Sequence, residues 1–461
     1  MRAHEAGALH GEIGRTGPAW LRTPADVNEL MTPLWPRTAA KDEAGLLHVG
    51  GLDVASLAQE FGTPAFVLDE EDFRARCRDF KQAFEGAHVY YAGKAFLCRA
   101  VVRILVDEEM HLDVCSGGEL ATALAAGMDP ARIALHGNNK SVRELTRAVE
   151  AGVGRIVVDS FDEIERLAAV ARERGVRPRV MIRVTVGVEA HTHEFIATAH
   201  EDQKFGFSLA GGTAFEAARR ILAQDALELR GLHSHIGSQI FDTSGFEVSA
   251  RRVLSLHDRI RTELGAELPE LDLGGGFGIA YTSQDTPSPA GDLAKRMFKI
   301  VEDECRGLGI AQPHLSIEPG RAIVGPSTFT LYEVGTVKPL DGLRTYVSVD
   351  GGMSDNIRTA LYDASYSATL ASRASQAEPI LARVVGKHCE AGDVVVKDEF
   401  LPADVRPGDL IAVPGTGAYC RSMASNYNHV PRPPVVAVRD GQARVIVRRE
   451  TEDDLLALDV G

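Results

Sequence analysis

Lys94 stands in the run YYAGKAF, flanked by small and apolar residues. An ammonium in such surroundings loses solvation, which lowers its pKa and favours imine formation with an aldehyde. The plainer reading is a surface lysine at a strand end. Other groups shift that balance. The glycines of GGGFG (274–278) let backbone N–H groups come close to a phosphate, and a helix start beside them adds a favourable dipole. They also suit a tight turn, and no GxGxxG spacing opens a βαβ unit here, which argues against a dinucleotide fold. Glu318, in EPGR, can pair with a protonated ring nitrogen and so strengthen an electron sink. Arg321 offers a planar fork for a carboxylate. A Glu318–Arg321 salt bridge would explain the same tetrapeptide without any ligand. His235, in HSHIGSQ, can lie against a planar ring, with the Ser238 hydroxyl reaching a phosphate. A slip of one residue presents His233 instead, and the pattern does not decide between them. His191, His193 and His200 make a weak metal set, because the HxH stretch has no Cys or carboxylate frame. No metal is expected.

These residues need a scaffold that aims them at one place. From about residue 64, short β-rich runs alternate with longer amphipathic stretches: VYYAGKA (89–95), HLDVCS (111–116), RIALHG (132–137), RIVVDS (155–160), RVMIRV (179–184), LRGLHSHIG (229–237), ELDLGGG (270–276) and HLSIEPG (314–320). Segments 118–127, 141–152 and 160–175 place apolar residues at three- and four-residue spacing, with Asp or Ser at the start and Gly at the end as caps. Eight strands alternating with helices predict a parallel (β/α)8 barrel over residues 46–327. Such barrels carry their chemistry at the C-terminal strand ends, which here hold Lys94, Ser116, Asn138, Asp159, Arg183, His235, the glycines at 274–276, and Glu318 with Arg321. Residues 328–461 read as strands separated by turns, an antiparallel β-sandwich or barrel domain. Segment 46–69 is expected to add a strand either to the barrel or to that β domain. Residues 1–45, rich in Gly, Pro, Thr and Ala, read as a loosely organised extension with no assigned function.

Composition narrows the partners. The chain has 461 residues, 44% hydrophobic and 25% charged, the proportions of an ordinary globular protein with room for two domains. Its net charge of -15 repels nucleic acid and anionic membranes. Six dispersed cysteines without a CxxC pair fit reduced thiols in the cytoplasm. The N-terminal stretch has no apolar core of signal-peptide length, and no run reaches the ~18 residues of a membrane helix.

Taken together, YYAGKA, LDVCSGGEL, HGNNKS, HSHIGSQ, DLGGGFG, EPGR, NIRTALYDA, KHCE and GTGAY, in that order, form a specific set. From about residue 46 to the C-terminus the chain resembles the fold-type III pyridoxal-phosphate decarboxylases and, within them, the diaminopimelate decarboxylase group. The resemblance implies decarboxylation of meso-diaminopimelate to L-lysine, a step of lysine biosynthesis, with pyridoxal 5'-phosphate as cofactor. It implies that Lys94 carries the cofactor, that His235 lies against its ring and that Glu318 pairs with the ring nitrogen. Ser238, Gly275, Gly276 and the EPGR turn with Gly320 and Arg321 would hold the phosphate, helped by Tyr419. Arg321, Arg358, Tyr362 and Tyr419 would bind the distal end of the substrate, and Glu390 its distal amino group. Cys389 would be the proton donor, reaching the site of a second subunit in a head-to-tail homodimer. Ala391 departs from the small hydroxyl residue usual after the CE pair. Decarboxylases of ornithine or arginine are the nearest rivals, but they read a distal cation and need no arginine fork. Alanine racemases place an arginine at the ring nitrogen, where this chain has Glu318. A non-catalytic homologue that binds a partner protein would be expected to lack Lys94 or Cys389.

Overall fold

Eight short apolar runs become the parallel strands of a closed barrel in the computed structural model, which describes residues 17–187 and 204–461. The strands are β1 (His88–Ala92), β2 (His111–Val114), β3 (Ile133–Leu135), β4 (Arg155–Val158), β5 (Arg179–Thr185), β6 (Glu228–Ser234), β7 (Glu270–Asp272) and β8 (His314–Ile317). Each pairs with the next in parallel, and β8 returns to β1 through Ser316 opposite His88 and Ile317 opposite Val89. Closure leaves these strands no free edge, and it brings all eight C-terminal ends to one mouth.

The intervening helices begin where their caps dictate. Ser116, Ser141 and Ser160 each accept a hydrogen bond from the backbone N–H three residues on, and Ser141 with Glu144 forms a full capping box. Helix Val142–Ala151 ends at Gly152, whose left-handed backbone glycine adopts without strain. The Gly274–Gly278 loop is anchored by Phe277, which is 2% exposed and packs on Phe80 and Phe246 with ring centroids 5.6 and 5.5 Å apart. Burying such a side chain contributes roughly 1.5–3 kcal/mol. A core aromatic thus fixes a loop at the barrel mouth.

The barrel unit comprises Arg76–Gly278 and Pro287–Ile323. The second unit comprises the described chain up to Ala75, Ile279–Thr286 and Val324–Gly461. Its strands are β9 (Thr328–Leu340), β10 (Arg344–Val349), β11 (Pro379–Val385), β12 (Val394–Pro402), β13 (Leu410–Pro414), β14 (Val435–Arg439) and β15 (Gln442–Val447). The segment Ala65–Asp69 lies in this sheet, antiparallel to β9 and parallel to β14. Most neighbours in this sheet are antiparallel, as expected, and the pairing of Ala65–Asp69 with β14 is a parallel exception. Strand β11 also runs parallel to β10, because the connection between them contains the helix Arg358–Tyr362 and crosses over instead of turning back as a hairpin. The N-terminal extension departs from expectation too. Leu34 and Trp35 are buried in the core of this unit, with the Trp35 ring 5.8 Å from that of Phe329. Two adjacent large apolar side chains thus enter a core from a segment that shows no periodicity, and Asn28, paired with the Ser375 backbone, helps to hold it. Among the described residues, no helix is long and apolar enough to cross a membrane.

Candidate active site at the barrel mouth

Glu318 follows the last residue of β8, and two imidazoles converge on it. His136, just past β3, and His233, in β6, each place Nε2 3.1 Å from the same Glu318 oxygen, Oε1. Their rings meet edge to face, with centroids 5.0 Å apart. All three side chains are buried. Burial alone would raise the Glu318 pKa, but the two imidazoles outweigh it and hold the carboxyl well below the usual range. Burial opposes charging of His136, yet the Asp113 and Glu318 carboxylates raise its pKa above the ordinary value. His233 behaves in the opposite way, because burial dominates and pushes it down to about 4. Burial and then the Glu318 charge raise Asp272 well above the carboxylate range. Asp113 is also raised, chiefly by burial. Of Asp113, Asp272 and Glu318, only Glu318 is shifted towards its anionic form.

The structure places His233 and His235 in different surroundings. His233 is inside the strand and faces Glu318, whereas His235 lies just past the strand end. The Nδ1 of His235 accepts a hydrogen bond from the Gly275 N–H at 3.3 Å, which places the ring proton on Nε2. Burial, followed by the charges of Lys94 and Arg183, lowers its pKa well below 6.5, so the ring is neutral. The glycine loop comes close to its neighbours. A Cβ on Gly275 would lie 2.1 Å from the Glu318 carbonyl oxygen, and one on Gly276, where φ is +101°, would lie 2.4 Å from the Gly237 oxygen. No other residue fits there. Ile240 stitches the loop in place, with its N–H donating to the Gly276 carbonyl (2.9 Å) and its own carbonyl accepting from the Gly278 N–H (3.0 Å).

Beside this loop, Arg321 Nη2 donates to Ser238 Oγ at 2.7 Å. The expected alternative, a Glu318–Arg321 salt bridge, gives way to these two separate partnerships. Gly320 packs its backbone against the turn that carries Lys94: a Cβ there would meet the Ala92 side chain at 2.8 Å, and the Ala92 N–H donates to the Pro319 carbonyl at 3.2 Å. The mouth therefore gathers a lysine, a neutral histidine, a buried carboxylate, a glycine cradle closed to side chains, and a serine held by an arginine. A phosphate fits the cradle with Ser238 and Arg321, an aldehyde fits Lys94, and a protonated ring nitrogen fits Glu318. The residues present are those that pyridoxal phosphate requires.

Other strand-end residues have structural roles. Ser116 caps the helix Gly117–Ala125, and Asp159 Oδ1 accepts from the Gly206 N–H at 2.8 Å. Arg183 lies over the Phe205 ring, 4.4 Å from its centroid, and acts on the mouth through its charge. His191, His193 and His200 lie outside the described residues. Among those described, the His, Cys and acidic donors that come together as a potential metal set are His136, His233 and Glu318, with ligand atoms within 4.8 Å of one another. Sequence reasoning passed over His136, although it ends the RIALHG run as Lys94 ends its own.

The second unit holds the remaining predicted residues. The buried Arg358 guanidinium donates from Nη1 to Tyr366 Oη at 2.6 Å and lies 4.9 Å from the Tyr281 ring centroid. Tyr362, in the same short helix, is 60% exposed. Cys389 and Glu390 are exposed on a turn that is held from both sides. His388, which is buried, brings Nδ1 to 3.0 Å from Asp393 Oδ2, and the Cys389 N–H donates to Asn428 Oδ1 at 3.0 Å. Tyr419 is half-buried, with a left-handed backbone at φ +62°.

Residues 70–325 match the family described as pyridoxal-dependent decarboxylase, pyridoxal binding domain. The diaminopimelate decarboxylase of Mycobacterium tuberculosis is 58% identical over 94% of this chain and 100% of its own length. That of Bacillus subtilis is 46% identical over 92% and 97%. The crystal structure of diaminopimelate decarboxylase from M. jannaschii in co-complex with L-lysine superposes with a TM-score of 0.87 at 31% identity, covering 92% of this chain and 98% of that one. With more than half its length matched by the family model and relatives aligned almost end to end, the chain belongs to the pyridoxal-dependent decarboxylases, in their diaminopimelate decarboxylase group.

Proposed function

We propose that the chain releases carbon dioxide from meso-diaminopimelate to give L-lysine, using pyridoxal phosphate held at the barrel mouth. The observation that carries this reading is Glu318, a buried carboxylate kept anionic beside a glycine cradle and a lysine turn. When bound, pyridoxal phosphate supplies an aldehyde for the substrate amino group and a ring that accepts the electron pair freed as carbon dioxide leaves. A carboxylate at the ring nitrogen favours that acceptance, and therefore decarboxylation over racemisation.

The residue roles follow the chemistry of each group. Lys94 carries the cofactor, His235 supports the ring face, and Glu318 pairs with the ring nitrogen. Ser238, Gly275, Gly276, Gly320 and Arg321 hold the phosphate, with Tyr419. Arg321, Arg358 and Tyr362 read the distal carboxylate of the substrate, and Glu390 its distal amino group. Arg358 is suited to that role. Burial opposes its charge, but Tyr366 and Tyr281 outweigh it and keep the guanidinium firmly cationic. Cys389 returns the proton. Its exposure on a rigidly held turn supports a role in a second copy of the chain, so that a homodimer shares two sites. The cytoplasm is the proposed setting, where dispersed thiols stay reduced.

Mixing two inactive variants tests the shared site. Lys94→Ala and Cys389→Ala chains should each be inactive alone. After subunit exchange, heterodimers carry one intact site, and activity should return to about a quarter of wild type. A mixture that stays inactive, from variants that exchange freely, rules out sharing.

A further inference from the structure

Two histidines aimed at one oxygen of one carboxylate are more than is needed to fill space. His136 and His233 come from β3 and β6, which are not neighbours in the barrel, yet their Nε2 atoms stand at the same 3.1 Å from Glu318 Oε1. These are close electrostatic contacts between buried groups: neither Nε2, nor that oxygen, makes a hydrogen bond of good geometry among the described residues. The backbone completes the clamp, because the Glu318 N–H donates to the Gly274 carbonyl at 3.0 Å. A lone carboxylate in this place would take up a proton: burial raises it, and Asp113 and Asp272 close by are both pushed upward. A protonated Glu318 would meet a ring nitrogen without charge and would weaken the electron sink that decarboxylation needs.

We propose that His136 and His233 are positioning residues that act through Glu318, fixing its carboxylate in place as the anion that meets a protonated ring nitrogen. The inference rests on the reading that Glu318 pairs with the cofactor ring, and it assigns the protonation state of that pair to two residues on other strands. The two histidines are not equivalent. His136 also faces Asp113, whose Oδ1 lies 3.8 Å from its Nε2, and it supplies the positive charge. His233, pushed down by burial, stays neutral and stands against the same oxygen from the other side of the mouth.

The test uses the full-length chain and the variants His136→Leu, His233→Leu, His136→Gln, Glu318→Gln and the double variant His136→Leu/Glu318→Gln. Two quantities are read: the dissociation constant for pyridoxal phosphate, by fluorescence titration, and kcat separately from KM for diaminopimelate. Each leucine variant should weaken cofactor binding and lower kcat by about tenfold or more, the size of loss seen when a supporting partner is removed from a charged ligand. KM should stay near wild type. His136→Gln, which keeps an N–H donor, should recover part of the loss and provides a folded comparison if leucine disturbs packing. In the Glu318→Gln background, His136→Leu should add nothing, because the residue it serves is already uncharged.

Independent losses that multiply in the double variant would overturn the inference. So would leucine variants with unchanged cofactor affinity while Glu318→Gln loses it; in that case the reading of Glu318 survives. If Glu318→Gln itself changes neither quantity, the reading of Glu318 falls first. Stoichiometric Co2+ uptake by the chain stripped of cofactor, lost in the same variants, would overturn the inference in favour of a metal site.

Discussion

The two ends of the barrel both gather histidines, and they treat them oppositely. At the mouth, His136 and His233 enclose a carboxylate, and His136 is raised towards its charged form. At the other end, His88, His111 and His314 are the first residues of β1, β2 and β8, with ring centroids 4.5 Å apart for His88–His111 and 4.1 Å for His88–His314. Burial first, then the neighbouring imidazoles, push His88 down to about 4 and His111 to about 3. Glu270 is close enough to His88 to oppose the shift, but it does not reverse it. His136, with two carboxylates close by, is thus drawn towards its charged form, whereas the floor imidazoles, crowded by one another, stay neutral. Ion pairing at this floor is left to Glu270, which binds Arg155 through both carboxylate oxygens and also accepts from Arg230 at 3.1 Å. The mouth directs its charges at a ligand, and the floor uses them to close the barrel.

Changes at the two ends should therefore separate binding from stability. The largest effect is expected from Phe277→Ala beneath the glycine loop. Losing its contacts with Phe80 and Phe246 should cost about 3–5 kcal/mol in denaturant unfolding. It should also weaken pyridoxal phosphate binding; unchanged affinity would mean that the loop holds its shape without its anchor. Next comes Glu270→Gln at the floor, which strands two arginines. It should cost roughly 1–3 kcal/mol of stability and leave kcat near wild type, and a large fall in kcat would deny the division between the two ends. The smallest effect is one of pH. His88 and His111 titrate below the ordinary 6.5 in the folded chain, so the unfolded chain binds protons that the folded chain refuses. Stability is full above about pH 6.5 and is lost progressively as pH falls toward 4. His88→Asn should lessen the drop in melting temperature between pH 7 and pH 5 without altering kcat, and an unchanged drop would place the acid sensitivity elsewhere.

Much of the barrel was legible because a βα repeat puts its chemistry at predictable points. Lys94, Glu318 and the glycines at 274–276 all lie where a strand gives way to a loop, and each is an unusual residue for a plain turn. His136 occupies an equivalent point, but a single histidine among turn residues carries no pattern that marks a partner on another strand. The choice between His233 and His235 was closed to sequence reasoning because the end of β6, uncertain by a residue or two, decides which of them lies inside the strand and which beyond it. Pairing across the second sheet was hidden for a related reason. The run Ala65–Asp69 shows that it is a strand but not that its neighbours are β9 and β14, hundreds of residues away. Leu34 and Trp35 sit in a segment without periodicity, so nothing local revealed that they enter a core.

The most direct test is carbon dioxide release by the chain supplied with pyridoxal phosphate, using meso-diaminopimelate alongside ornithine, arginine and L-lysine. Release from diaminopimelate alone, abolished by Lys94→Ala, is the result expected from an anionic Glu318 and arginines that read a distal carboxylate. Release from ornithine or arginine in its place would keep the barrel and its cofactor but contradict the roles given to Arg321 and Arg358.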